Sequence, residues 1–395
     1  MDYRYIIFLI LAIFLIFRLY VKITYKFWAY QPVFHYYNLF YWIYPKGIIN
    51  KDLPIANKYC NYIDITTKNF LDISTDELTS IVSLLSKNYY REKNISYIPT
   101  AESFSADFIG HIDPTFISTY NKTIYDQIEG KINKENKIIG VITGKPVTIK
   151  INKIILPAYY VDYLCVDKLY RNQNIAPQLI QTYEYSQRHK NQKSAVSLFK
   201  REGILTGIVP LTAYKAKQYY ISTIPKQLDN NNVIKIHTQN YYLLEELLKS
   251  IDFFDCVIQS SLSHLLNLIK EEIYIVYGFV NNAKLSTCYF FKLNNTIYHE
   301  TELYTNNKKE STCIDLIASI NTVDENNFID YFLVALKKVN KDYNYINIEE
   351  ISSNYIITHY LNSLSLIPRI TMPIAYFYYN YAKRPVTSDK VLILT

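Results

Sequence analysis

The stretch YVDYLCVDKLYRNQNIAPQLI, Tyr160 to Ile180, changes character twice. It opens as an apolar, β-prone run, breaks at DKLYRNQN, and resumes at Ala176 and Pro177 with the pattern of a helix, PQLIQTYEYSQRH. Proline suits a helix's first turn, where its missing N–H would have no partner anyway. A strand that passes to a helix through a polar turn leaves the main-chain N–H groups of Gln173 to Ile175 pointing into that turn, which makes an anion site. The stretch predicts a place for a phosphate; the rest of the chain must say which.

Upstream, NKIIGVITGKPVTIKI (Asn136 to Ile151) and KIILPAYYVDYLCV (Lys153 to Val166) read as paired, largely buried strands, with Gly144 and Pro146 bending the first. STDELTSIVSLLSKNYY (Ser74 to Tyr90) carries Leu78, Ile81, Val82 and Leu85 on one helical face behind a Ser/Thr/Asp cap cluster. The second half repeats the theme more loosely. IYIVYGFVNN and AKLSTCYFFKL read as a hairpin, NNFIDYFLVALKKVN as an amphipathic helix, YNYINIEEI as a strand and AYFYYNY as a late strand. Two α+β halves, 23–227 and 228–395, are expected, dividing between Gln227 and Ile234 and preceded by an apolar segment, 1–22.

The chain has 395 residues, enough for a large core. Its 41 tyrosines beside only 8 glycines are what codon bias in an AT-rich genome produces, so they do not indicate a stacking surface. The net charge of +7 is scattered, with no block of like charges, and nucleic acid is not implied. Five separated cysteines (Cys60, Cys165, Cys256, Cys288, Cys313) form no ligand pattern, which points to a reducing compartment and away from structural zinc. The seven histidines, His35 among them, show no spacing for a triad or a metal site.

Tyr5 to Phe17 is continuously apolar, and Leu19, Tyr20 and Val21 extend it past Arg18 to about 17 positions, roughly 26 Å of helix. No small-residue cleavage site follows, so an uncleaved anchor is expected rather than a signal peptide. Arg18, Lys22 and Lys26 lie after the span and Arg4 before it, which places the body on the cytosolic side of a single-pass membrane protein.

With these pieces in order, YLCVDKLYRNQNIAPQLI resembles the acyl-CoA motif of the N-myristoyltransferases, whose pattern runs Phe-Leu-Cys-Val, a basic loop, then Ala-Pro and a helix. YKFWAYQPV (Tyr25 to Val33) is similar to that family's Lys/Gln-Phe-Trp-x-x-Gln-Pro-Val signature. IIGVITGKPVTIKI resembles its Gly-Phe-Ile-Ser-x-x-Pro strand pair, and YYNYAKRPVTSDKVLILT its C-terminal end. The resemblance implies two acetyltransferase-like (GNAT-like) halves sharing a curved mixed sheet. It implies transfer of a myristoyl group from myristoyl-CoA to the N-terminal glycine amine of proteins, without metal and without a covalent acyl-enzyme.

It also implies residue roles. The amides of Tyr163 and Leu164 would receive the thioester oxyanion, because main-chain donors are aimed before reaction begins. Cys165, Val166, Arg171, Asn172, Gln173, Asn174, Ile175, Ala176 and Pro177 would hold CoA, with Lys26, Phe27 and Trp28 closing over it. Asn172 stands where a Ser is usual, and Gln173 and Asn174 replace two further basic residues, which implies either weaker CoA affinity or help from Lys168. The carboxylate of Thr395 would take the proton of the glycine amine, whose pKa is about 8. Tyr89, Ser197 (or Leu198), Tyr214 (or Tyr219) and Ser319 would line the peptide groove, where NYYREKN (Asn88 to Asn94) replaces an acidic run. The alternative is a catalytically inactive, membrane-anchored protein that binds acyl-CoA or an acylated peptide.

Overall fold

The computed structural model describes residues 3–90, 94–128, 131–151, 154–203, 207–301, 308–339 and 343–395. The order begins with α1 (Tyr3–Thr24), α2 (Leu39–Ile43), β1 (Gly47–Ile48), β2 (Ile65–Asn69), α3 (Thr75–Asn88), β3 (Ile95–Tyr97) and α4 (Ala101–Ala106). It continues with β4 (Phe116–Ile128), β5 (Lys131–Ile151), β6 (Ile154–Val166), α5 (Ile175–Lys190), β7 (Val196–Glu202) and β8 (Thr212–Tyr220). Next come β9 (Val233–Ile236), α6 (Tyr241–Ser250), β10 (Cys256–Gln259), α7 (Leu262–Lys270), β11 (Tyr274–Asn281), β12 (Lys284–Thr301) and β13 (Lys308–Asn321). The chain finishes with α8 (Glu325–Val339), β14 (Tyr345–Glu349), α9 (Asn354–Ser363), β15 (Ile370–Tyr379), β16 (Tyr381–Ala382) and β17 (Val391–Leu394).

One fifteen-stranded mixed sheet holds the molecule, its main path running β17-β10-β5-β6-β7-β15-β8-β14-β13-β12-β11-β9. The same unit occurs twice. Antiparallel β4-β5-β6 leads through α5 to β7, parallel to β6; antiparallel β11-β12-β13 leads through α8 to β14, parallel to β13. The units exchange their closing strands: β8 pairs with β14, and β15 with β7. β8 and β15 then pair with each other and join the halves.

The sheet curves until one edge meets the far half. Leu392 and Leu394 of β17 pack in one cluster with Phe290, Ala318 and Ile320 of β12 and β13. α5 closes over Ile139, Ile142 and Tyr159 through Ile175, Leu179 and Tyr183, while α8 covers Tyr289, Phe291, Ile346 and Ile348. α3 begins with a capping box, the Ser74 hydroxyl accepting from the Glu77 N–H and the Glu77 carboxylate accepting from the Ser74 N–H. The helix expected to begin at Ala176 and Pro177 begins at Ile175, one residue before Ala176, which keeps Pro177 inside the first turn.

Candidate active site

The pairing of β5 with β6 runs on in regular register through Gly144 and Pro146, where a bend was expected, and is interrupted instead by an extra residue in β6 opposite Ile142. Val141 faces Cys165 and Thr143 faces Asp162, so Ile142 alone opposes both Tyr163 and Leu164. This is a β-bulge, a device that re-aims main-chain groups out of a ladder. Tyr163 sits at φ 51°, left-handed territory that a bulky residue rarely enters and that concentrates at functional positions. Its N–H donates to its neighbour's carboxylate, Asp162 Oδ1, at 2.8 Å. Leu164 is exposed.

A buried polar chain runs inward from the bulge. The Tyr163 hydroxyl donates to Asp107 Oδ2 at 2.8 Å, and Lys145 Nζ to Asp107 Oδ1 at 2.8 Å. The Asp107 and Lys145 side chains are almost inaccessible. Burial alone would raise the Asp107 carboxyl; Lys145 and Lys292, with the hydrogen bonds from Lys145 and Tyr163, hold it well below the usual carboxylate range. Burial likewise would lower Lys292 on β12, but Asp107 and the Tyr274 hydroxyl hold its ammonium above the ordinary lysine range. Lys292 lies 5.6 Å from the Tyr274 ring centroid, and the Tyr274 hydroxyl donates to the main-chain oxygen of Thr395. Thr395 is itself buried behind β17. The strained amide at Tyr163 and the last residue of the chain thus belong to one internal network.

At the polar turn, Asp167 accepts from the Leu169 N–H and pairs with Lys137 of β5 at 3.1 Å. Arg171 is used structurally: its Nε donates to the Val166 carbonyl at 3.2 Å and its Nη2 to the Asn88 carbonyl at 2.6 Å, tying the end of β6 to the end of α3. Asn172 (φ 65°) and Asn174 (φ 58°) are both left-handed. Asn174 is the residue before α5 and its side chain makes no capping hydrogen bond, so the N–H groups opening the helix are not satisfied by a cap. Asn172, Gln173 and Asn174 are exposed, whereas Ile175 is buried and Ala176 and Pro177 half-buried. Lys122 of β4 lies 4.3 Å from the Tyr170 ring centroid. Lys122 and Lys137 therefore bring to the turn cations that its own sequence lacks.

The other expected residues disperse. Cys165 is buried beside Leu85 and Phe104, its thiol pushed up to about 12 by burial, and Val166 packs under α5. Phe27 is buried edge-on to Tyr59; Trp28 stacks on Phe199 of β7, 5.5 Å between centroids; Lys26 is exposed. Tyr89 joins the bulge, its ring 5.9 Å from that of Tyr163 and 5.0 Å from that of Tyr97. Tyr214 donates to Glu349, which also pairs with Lys200 at 2.7 Å. Ser197 is buried on β7 against Glu184, and Leu198 is buried beside it. Tyr219 is buried with its hydroxyl unpartnered, as is the Ser319 hydroxyl on β13. Of NYYREKN, residues 91–93 lie outside the described residues.

The sequence reading missed Asp107, Lys145, Asp162, Tyr274 and Lys292. Its one available signal was a lone lysine inside an apolar strand, VITGKPVTI for Lys145 and CYFFKL for Lys292. A buried lysine needs a buried carboxylate. His111 and His264, 153 positions apart, stack at 3.8 Å near this network. Burial first, then Lys145 for His111 and the stacked His111 ring and Lys145 for His264, hold them down at about 4 and about 2, so both are neutral near pH 7. Among the described residues, no group of three His, Cys, Asp or Glu side chains is placed to hold a metal ion.

Comparison with known proteins fits this arrangement. Residues 51–209 match the model of the Myristoyl-CoA:protein N-myristoyltransferase, N-terminal domain. A glycylpeptide N-tetradecanoyltransferase of Plasmodium falciparum is 27% identical over 173 residues, 40% of this chain and 38% of the relative. A putative glycylpeptide N-tetradecanoyltransferase of Amsacta moorei entomopoxvirus is 27% identical over 202 residues, 51% of this chain and 56% of the relative. The chain thus spans less than two thirds of the length of these curated relatives. Saccharomyces cerevisiae N-myristoyltransferase with bound myristoyl-CoA superposes with a TM-score of 0.68 at 15% identity, covering 92% of this chain and 94% of the other. The chain therefore has the mixed-sheet α+β fold seen in that structure. Within residues 51–209 the sequence is also similar to the N-terminal domain of the N-myristoyltransferases.

Proposed function

We propose that this protein transfers a myristoyl group from myristoyl-CoA to the N-terminal glycine amine of proteins. The observation that carries the reading is the bulge: a left-handed Tyr163 amide, out of the ladder, between an uncapped helix start and the buried end of β17. In this reading the CoA phosphates lie at the turn 171–177, with Lys122, Lys137 and Lys168 supplying charge. The thioester carbonyl lies at the bulge, where the N–H groups of Tyr163 and Leu164 stabilise the oxyanion as the amine adds. The carboxylate of Thr395, hydrogen-bonded by Tyr274, takes the amine proton. The tetrahedral adduct then collapses to the amide and CoA thiolate, which leaves with a proton. α1 holds the body at the cytosolic face of a membrane.

A specific pair of observations favours a second reading, an anchored protein that binds acyl-CoA or an acylated peptide without turnover. Asp162 occupies the Tyr163 amide, and two of the Arg171 nitrogens are engaged by main-chain carbonyls. Full-length protein in detergent, given radiolabelled myristoyl-CoA and Gly-initiated peptides, separates the two. Transfer that disappears when Leu394 and Thr395 are removed supports the enzyme; tight acyl-CoA binding without transfer by the intact chain overturns it and leaves the binding protein.

A further inference from the structure

The surface at the base of α1 is apolar in a way that neither the core nor the candidate active site uses. α1 docks on the body only near its end. Val21 is 2% exposed, its side chain set for contact at Gly207, and it lines a small recess with His35 and Trp28. One turn earlier, the Arg18 guanidinium lies 5.8 Å from the Tyr37 ring centroid; on the other side, Lys22 lies 5.8 Å from that of Tyr30. The body therefore begins at the level of Arg18. From Tyr3 to Phe17 every residue except Ala12 and Phe14 is exposed. These 15 positions span about 22 Å of helix standing clear of the protein.

α2 begins two residues after Tyr37, the ring that Arg18 meets, and it is turned outward. Leu39 (59%), Phe40 (66%), Ile43 (63%) and the adjoining Tyr44 (67%) are exposed, as is Tyr36, whose ring lies 6.4 Å from that of Trp42. Its other side is fixed. Tyr41 and Trp42 pack on Phe34 at 5.7 and 5.1 Å, the Trp42 indole donates to the Tyr36 carbonyl, and Arg384 donates to the carbonyls of Trp42 and Ile43. Single exposed apolar side chains are ordinary, but a contiguous set held rigidly outward marks a binding surface. Lys22, Lys26 and Lys46 are exposed nearby in the chain.

We propose that the Leu39–Tyr44 face is a second membrane contact, seated at the headgroup–acyl boundary of the bilayer that α1 enters. The proposal rests on reading α1 as a membrane span. What selects a lipid surface over a protein partner is continuity: the face sits where an apolar helix of near-bilayer length leaves the body, and it combines aliphatic, aromatic and lysine side chains as interfacial segments do. A single helix anchor leaves a body free to swing about its axis. Two attachment points fix the tilt of the body and with it the direction in which the bulge faces the membrane.

The two tryptophans, Trp28 and Trp42, make the test direct. Full-length protein carrying Trp28→Phe, so that Trp42 is the sole tryptophan, is reconstituted into phosphatidylcholine–phosphatidylserine vesicles with and without brominated acyl chains. The expected result is at least a twofold loss of Trp42 emission in the brominated vesicles. That loss should disappear when Leu39, Phe40 and Ile43 are all changed to Asn, while the variant still floats with the vesicles through α1 and keeps its melting temperature. Equal emission in both kinds of vesicle, or quenching that survives the triple substitution, overturns the second contact while leaving the span intact. Failure of the parent protein to float with vesicles overturns the span itself and the contact with it.

Discussion

At the residue scale, the buried pair of Asp107 and Lys145 does two things: it neutralises two charges inside the sheet and, through Asp107, holds the Tyr163 hydroxyl. Replacing Asp107 by Asn leaves Lys145 buried without its partner, for an expected loss of about 3 to 5 kcal/mol in urea unfolding. Adding Lys145→Met should restore most of it, because the isolated charge, not the missing bond, is the main cost. A loss that persists in the double variant would mean that Asp107 acts chiefly through Tyr163. Glu184 of α5 behaves differently. Burial, outweighing Arg188 and a hydrogen bond with Ser197, raises its carboxyl to about 7, whereas in the unfolded chain it titrates near about 4.3. Between those values the folded protein holds the extra proton, so a contribution fully present below pH 4 is lost as pH rises through 7. Glu184→Gln should match the parent at pH 4 and exceed it by roughly 3 kcal/mol at pH 8. Chemical denaturation at both pH values checks this; an equal difference at the two would show that Glu184 is already ionised in the fold.

At the scale of elements, α5 lies so close to β5 at two positions, Gly140 and Gly144, that neither has room for a side chain. A Cβ on Gly144 would fall 1.6 Å from the Tyr183 hydroxyl, and one on Gly140 would fall 2.9 Å from Leu179. Gly144→Ala should therefore destabilise the protein by about 1 to 3 kcal/mol. The Tyr183 hydroxyl is buried and unpartnered, so Tyr183→Phe alone should be neutral or stabilising and should recover part of the Gly144→Ala loss. Melting temperatures of the three variants decide it; strict additivity would place the strain elsewhere. This glycine also marks the limit of what the sequence disclosed. The strand, polar turn and helix at 160–180 were legible because apolar periodicity changes there, and the start of α3 because a Ser/Thr/Asp cluster precedes one apolar helical face. Gly144 itself read as a bend, since sequence cannot say that a helix 39 positions later lies above it. For the same reason Asp107, Lys145 and Lys292 left only the trace of lysines in apolar strands, and Arg171 read as a ligand when its nearest acceptors are the carbonyls of Val166 and Asn88.

At the scale of the molecule, the exchange of closing strands decides how the halves unfold. β8, from the first half, completes the second by pairing with β14; β15, from the second, completes the first by pairing with β7. β10 also pairs with β5 and carries β17 on its far side, and β3 pairs with β12, so each half supplies strands to the other at several places. Cutting near residue 227 would strand β8 beside an edge with no partner and strip β15 from β7, leaving rows of unpaired main-chain groups on both pieces. Stability here is therefore shared between halves rather than held in each. Although chains of this length often unfold in steps, the body from β2 to β17 should unfold in one transition, with fluorescence and circular dichroism midpoints coinciding within error. Residues 23–227 and 228–395 expressed separately should be insoluble or lack cooperative melting, and co-expression should restore a soluble complex. Two resolved transitions, or a soluble half that melts cooperatively alone, would mean that each βαβ unit closes its own core and that the exchanged strands only dock.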